Sequence, residues 1–442
     1  MGLKYIEIVK SIVLLILVML SFLFTFAIWT YTPRYETIEQ LPTVDISIAK
    51  KQIIDEVIKP YKLLLNFDGN LKGTYDSTEI EYVMKELEKW EFSDLTLADN
   101  SFSAAKLDAL MRKPNRLTLY FHGDVPLPIF DNVLNITDAN IPETSFDRIV
   151  VDWNPAGISM DVIFISRKNN GYLYKVKAKV EDYRTFNRSV LTWGRGLGEY
   201  VEVDPDRSPF LAVPASSIEV IGNTYYEKEI VPSRFRDALF TDPNAVRLSQ
   251  SGSNHEEYQD DHALMKVDTE KKTLNYVLPS AESSETAIPS EIFLNTLKFV
   301  NEHGGWTDEY RYMYMNPQKR YVKYQLFVHG LPVFGDTPGS TEITQVWGDN
   351  LVFRYMRPYY TLDLTLQTDV KFLKSGIEVI EMLRASETVD LDTVEEIIPG
   401  YFMKHDREQR LFIMEPSWFY LANGTWIRFS PELSGGEQVG LE

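Results

Sequence analysis

The sequence predicts an α+β protein in which one N-terminal transmembrane helix precedes a multidomain extracytoplasmic region whose last two domains are related. Three observations predict it. Residues 11–33, SIVLLILVMLSFLFTFAIWTYTP, carry no charge over 23 positions, and about 20 helical residues at 1.5 Å each cross a bilayer. Beyond them, short strand-like runs broken by Gly, Asn and Pro mix with helical periodicities. Near the C-terminus, MKHDREQRLFIMEPS (403–417) has a twin in MKVDTEKKTLNYVLPS (265–280), a sign of an internal repeat.

The apolar block is too long for a signal-peptide core and no A-x-A site follows it, so it reads as an uncleaved anchor. Lys4 and Lys10 precede it and Arg34 follows it, a bias that keeps the N-terminus cytoplasmic. Trp29 and Tyr31 fall at the outer interface, where amphipathic rings settle. The expected layout is a cytoplasmic 1–10, a transmembrane 11–33, and outer α+β domains at 34–205, 206–300 and 301–442.

Each outer element has a local reason. DISIAKKQIIDEVIKPYKLLL (45–65) reads as a juxtamembrane helix ending near Pro60. DSTEIEYVMKELEKW (76–90) reads as a second helix with a Thr78/Glu81 capping box and an apolar face of Ile80, Val83, Met84, Leu87 and Trp90. Strands are expected at 117–121, 148–153, 160–166 and 172–180, with a hairpin turn at Asn170-Gly171. The domain closes around 194–209, which is rich in Gly and Pro. Helical patterns SRFRDALF, IEVIEMLRA and LDTVEEII lie ahead of the twin stretches. PSEIFLNTLKFVNEHGG is a helix with Ser290 as N-cap and a Gly304-Gly305 stop. Strands are then expected at YVKYQLFV, ITQVW and LVFRYM, and a hairpin at FYLANGTWIRF.

Composition excludes several functions. With 64 acidic against 45 basic residues the net charge is −19, opposite to what a phosphate backbone selects, so no nucleic-acid partner is expected. Absence of cysteine removes disulfides, thiolate metal sites and a Cys nucleophile.

The cluster around His405 has acid/base residue types, yet its twin carries Val267 in that place. A strand, a charged turn and a second strand account for both copies, and a turn gives His405 no obvious partner. FHGDVPLPIF (121–130) and VHGLPVFG (328–335) echo each other as strand-to-turn signatures. Ser103-x-x-Lys106, Tyr314-x-Asn316 and Lys374-Ser-Gly376 imitate a serine acyltransferase set, but Lys374-Ser-Gly376 runs into a helix instead of an edge strand. HEEYQDDH (255–262) has Gln259 where H-E-x-x-H needs His and reads as a mobile acidic loop. No catalytic residue, cofactor site or metal site is assigned. The competing class is an extracytoplasmic cell-wall enzyme, either a serine acyltransferase or a metal-dependent hydrolase.

The anchor exit Ile28–Glu36, I-W-T-Y-x-P-x-Y-E, and the overall layout resemble the YycH (WalH) family of Gram-positive bacteria. That resemblance implies a non-catalytic auxiliary protein of a cell-wall two-component system, partnered by the sensor histidine kinase YycG (WalK) and by a YycI-like paralogue. Coupling to a kinase would then pass through the outer domains or the membrane helix. Ser21 and Thr25 lie four apart on one helical face and are the candidate contacts with partner transmembrane helices. The plainer alternative is that such a hydroxyl bonds its own i−4 carbonyl.

Overall fold

Residues 62–67, KLLLNF, are buried on both alternating faces because the strand they form is covered on both sides. In this computed structural model the described residues are 14–15, 17–25 and 48–430, except 100–102, 132, 139, 154–158, 168–172, 180–182, 251 and 387. Leu63, Leu65 and Phe67 join one hydrophobic core and Leu64 joins a second, as a period of two requires. The chain forms two compact units, 1–45 and 46–442.

In the first unit, 14–15 and 17–25 are helical. Among the described residues no helix is long and apolar enough to cross a membrane. Most of the expected span, with Trp29 and Tyr31, lies outside them.

The second unit holds two sheets. The N-terminal sheet contains β1 (Lys62–Phe67), β2 (Asn70–Thr74), β3 (Glu91–Asp99), β4 (Arg116–Pro126), β5 (Ser145–Asp152), β6 (Ser159–Ile165), β7 (Leu173–Lys179), β8 (Gly198–Glu202) and β9 (Ala212–Pro214). Their order is β3-β7-β6-β5-β4-β1-β2-β8-β9. The expected strands at 117–121, 148–153, 160–166 and 172–180 are β4 to β7. The Asn170-Gly171 turn lies outside the described residues, although β6 and β7 pair antiparallel on either side of it.

The helix Ser77–Leu87 buries Ile80, Val83, Met84 and Leu87, as its spacing predicts. Its cap differs from the expected one: Asp76 accepts from the amides of Thr78 and Glu79, and Glu81 instead pairs with Lys85 at 2.8 Å. The juxtamembrane helix is also corrected. Among the described residues of that stretch only Ile54–Val57 is helical, because the leucine-rich run after Pro60 is recruited into β1.

The larger sheet contains β10 (Ile218–Glu229), β11 (Arg247–Gln250), β12 (His255–Gln259), β13 (Leu264–Asp268), β14 (Thr273–Val277), β15 (Tyr310–Asn316), β16 (Tyr321–Val328), β17 (Leu331–Gly335), β18 (Glu342–Trp347), β19 (Val352–Pro358), β20 (Tyr360–Leu373), β21 (Val394–Asp406), β22 (Leu411–Ala422) and β23 (Thr425–Arg428). The main path is β11-β12-β13-β14-β19-β18-β16-β17-β21-β22-β10-β20, with β15 on β16 and β23 on β22. All pairs are antiparallel except β17 with β21. A division at 300/301 falls inside the helix Pro289–Glu302, and β14 pairs β19 across it.

Both twin stretches are hairpins. Asp268 pairs with Thr273 and Asp406 with Leu411, each across four turn residues. In each, the aspartate Oδ1 caps turn amides, and a basic residue, Lys272 or Arg410, closes the turn at positive φ. A third hairpin, β15–β16, repeats this with Asn316, whose Oδ1 accepts from the Lys319 amide, and Arg320 at φ 51°.

Three further expectations are corrected. LDTVEEII is one short turn, Leu391–Thr393, followed by β21, because its apolar spacing continues into the strand IIPGYF. The cap of the Pro289–Glu302 helix is Ile288, with proline in the first turn. Ser290 lies within that turn, and its amide and hydroxyl donate to Glu143 at 2.9 and 2.6 Å. The His-Gly echo also divides. His329-Gly330 is the two-residue turn between β16 and β17, both at positive φ, whereas His122-Gly123 lies inside β4. There a Cβ on Gly123 would meet the Met313 carbonyl at 2.8 Å.

Candidate functional site at the seam between the sheets

The two sheets meet along a seam that contains a cluster of deeply buried charges, Lys62, Arg148 and Glu396 among them. A bulge between Val394 and Glu396 breaks the β21–β22 register, and bulges re-aim side chains. The Glu396 carboxylate receives Lys62 Nζ at 2.8 and 2.7 Å, the Tyr61 hydroxyl at 3.0 Å and the Ile397 amide at 3.0 Å. Lys62 and Glu396 side chains are only 1% and 4% exposed. Burial pulls the Lys62 ammonium below its usual range, partly offset by Glu396. Burial and the same carboxylate push the Tyr61 phenol well up.

The cluster extends across β4 and β5. Lys62 and Arg148 stand over the Tyr120 ring at 4.3 and 4.8 Å, and Asp147 holds Arg167 at 2.6 Å. Burial works against the Arg167 charge, but Asp147 and Tyr61 more than restore it. His122 stacks on Tyr61 with centroids 4.1 Å apart and turns edges of contact toward Phe327 and Trp426. Neither ring nitrogen meets a hydrogen-bond partner among the described residues. Burial, with Arg311 nearby, lowers its pKa to about 3, so the ring is neutral.

Three further ties close the seam. The Tyr75 hydroxyl donates to the Ile397 carbonyl at 2.9 Å, the Tyr312 hydroxyl to the Asp124 carbonyl at 2.7 Å, and Arg207 to the Val394 carbonyl. The segment after residue 47 is pinned as well. Gln52 and Asn301 exchange two hydrogen bonds of 2.9 Å, and the Trp306 amide donates to the Lys50 carbonyl.

Beside this seam a cleft of about 390 Å³ opens between Tyr75 and Tyr200 on one wall and Ile221, His329 and Tyr401 on the other. Asp76 is occupied as a helix cap, Tyr401 donates to the Ile221 carbonyl at 2.7 Å, and His329 Nε2 lies 2.5 Å from the Asn223 amide nitrogen; Ser216, Ser217, Glu199 and Glu219 also line the cleft.

The acyltransferase-like fragments all have local structural work. Ser103 caps the helix Ala104–Arg112 while Lys106 reaches Asp99 at 2.7 Å. Asn316 caps its hairpin turn, and Ser375 forms a capping box with Glu378. HEEYQDDH is corrected from a mobile loop to β12 and a turn in which Asp260 accepts from the His262 and Ala263 amides. Among the described residues no cluster of metal-ligating side chains occurs.

His405 also differs from expectation. Its Nε2 lies 2.7 Å from Glu227 Oε2 on β10, and this hydrogen bond holds the Glu227 carboxyl below its usual range against the effect of burial. Of the membrane-helix candidates, the Thr25 hydroxyl donates to the Ser21 carbonyl at 2.8 Å. Sequence reading missed Glu396, since its partners lie more than 300 positions away. The one local signal was the cluster of β-branched residues on either side of it, Thr393, Val394, Ile397 and Ile398.

The fold therefore defines a class: a sheet-rich α+β protein with a clamped two-sheet body. Residues 7–191 match the YycH protein N-terminal domain and residues 211–432 the YycH protein C-terminal domain; the chain belongs to the YycH family. It is similar to the "Two-component system WalR/WalK regulatory protein YycH" of Bacillus subtilis (strain 168), with 22% identity over 99% of both chains. The crystal structure of YycH from Bacillus subtilis superposes with a TM-score of 0.73 at 19% identity, covering 88% of this chain and 100% of that one.

Proposed function

We propose that the protein is a non-catalytic, membrane-anchored auxiliary protein that modulates a WalK-type (YycG) sensor histidine kinase controlling the cell wall. The observation that carries this reading is end-to-end similarity to a relative named as a WalR/WalK regulatory protein. The seam agrees with it: charged residues there are used to hold two sheets together, in geometry that suits a binding body.

The anchor is read as a single pass at 11–33 with the bulk of the chain outside. Partners are the kinase and a YycI-like paralogue. Ser21 and Thr25 remain the candidate face for helix contacts in the membrane; the Thr25 proton is spent on the Ser21 carbonyl, which leaves close packing and the oxygen lone pairs for a partner.

Co-purification of the full chain with the kinase from detergent-solubilised membranes tests the reading, alongside a kinase-dependent transcription reporter in a strain lacking the gene. Co-purification and an altered reporter are expected. Labelling of the full chain by a fluorescent β-lactam, with no kinase recovered, would favour the acyltransferase instead. Replacing both Ser21 and Thr25 with Leu is expected to weaken a membrane two-hybrid signal at unchanged protein level.

A further inference from the structure

Strand β20 ends the larger sheet and pairs with β10 alone among the described strands. Ten consecutive residues, 363–372, are exposed, so both faces of the strand are bare as well as its outer edge. Four of them are large and apolar: Leu364, Leu366, Val370 and Phe372 are 73%, 50%, 56% and 69% exposed. An edge of this kind is a template for another strand.

Its sequence specifies which strand. Set antiparallel to a second copy about Gln367, β20 places Leu362 opposite Phe372, Asp363 opposite Lys371, and Leu364 opposite Val370. Two-fold symmetry makes each pair twice, and opposite-charge and apolar cross-strand pairs are the unit of sheet stability.

Other registers lose this match. Moving one strand by a single residue sets Leu364 against Asp369 or Lys371. Moving it by two sets Asp363 against Asp369 in one direction and leaves Lys371 against Thr365 in the other. Bulges against β10 between Gln367 and Leu362 and a lone Lys371 are devices that blunt an isolated edge; in the symmetric register the lysine meets an acid.

We propose that β20 is a self-pairing edge, through which two copies of this chain join their larger sheets into one antiparallel sheet centred on Gln367. This stands independently of the kinase reading.

The absence of cysteine makes the test clean. In the full chain expressed in membranes, Gln367→Cys puts two thiols face to face on the axis. Oxidation with copper phenanthroline should give a reducible band at twice the 51.1 kDa chain mass. Asp363→Cys alone places its two thiols eight positions apart, about 27 Å at 3.4 Å per residue, far beyond disulfide reach, and should stay monomeric. Combining Asp363→Cys with Lys371→Cys should restore the dimer band.

Adding Lys371→Glu to Gln367→Cys should lower the cross-linking yield about fivefold by setting like charges opposite each other twice. Adding Asp363→Lys as well should recover it. A monomeric Gln367→Cys chain, equal cross-linking by Asp363→Cys alone, or indifference to Lys371→Glu would overturn the proposal. So would a disulfide-linked band of another mass, which would give the edge to a different protein.

Discussion

Two ion pairs bracket β21, and they are built differently. Near its start, Lys62 and Glu396 are buried together and tie the strand to the N-terminal sheet. Near its end, His405 and Glu227 tie it to β10, with the histidine side chain 18% exposed. The first pair is dry, and its carboxylate takes two further donors, the Tyr61 hydroxyl and the Ile397 amide. The second is one short contact, His405 Nε2 to Glu227 Oε2 at 2.7 Å. One strand is thus held at one end by a dry, multiply bonded clamp and at the other by a single, partly wetted contact.

The largest expected effect is at the dry end. Glu396→Ala strands the Lys62 ammonium in the core, and chemical denaturation of the full chain should show a loss of about 3–5 kcal/mol. Replacing both partners, Lys62→Met with Glu396→Leu, should recover most of that loss, because the pair's own desolvation cost disappears with it.

Next to this clamp, His122 is neutral in the folded chain down to about pH 3, whereas an unfolded histidine takes up a proton below about 6.5. The unfolded state then binds more protons, so the folded state loses stability as pH falls from 6.5 toward 3. His122→Phe keeps the stack on Tyr61 and should add about 2 kcal/mol at pH 5 relative to its effect at pH 8, read from paired denaturation curves.

At the wetter end the expected change is smaller. His405→Val copies the twin residue Val267 and removes the partner that depresses Glu227. A depressed carboxyl contributes stability above its ordinary range and loses it as pH falls through its folded value. The variant should therefore lose about 1–2 kcal/mol at pH 7, with the deficit shrinking as acid is added through the carboxylate range. Kinase-dependent transcription should not change.

The smallest effects belong to the turns. Arg410→Gly relieves a side chain held at positive φ and should gain about 0.5 kcal/mol, whereas Lys272→Gly gives up the 2.9 Å pair with Glu229 and should come out close to neutral. Arg320→Gly should instead destabilise, because that guanidinium bonds the carbonyls of Trp347, Glu285 and Gly348.

What was legible in the sequence follows from range. Strands β4 to β7 could be read because alternating apolar residues report a local period. The twin hairpins could be read because an aspartate cap and a basic left-handed residue recur within six positions. The segment LDTVEEII could not be settled locally: Leu391, Val394 and Ile398 match a helical spacing, and only pairing with β22 makes the part from Val394 onward strand. β20 was overlooked although Leu362, Leu364 and Leu366 alternate with polar residues, and it joins β10 from more than 130 positions away. The Thr78 and Ser290 caps missed by two residues each, an error that helix ends invite. The seam was illegible for a stricter reason. Lys62 and Glu396 look like two ordinary surface charges until the sheets are brought together.

Strand β1 serves two cores at once, and this has a mechanical meaning. Its odd residues cannot be loosened without disturbing the layer that its even residues support, so neither layer has a free surface along which to slide. A change that shifts β1 is therefore felt in both layers at once.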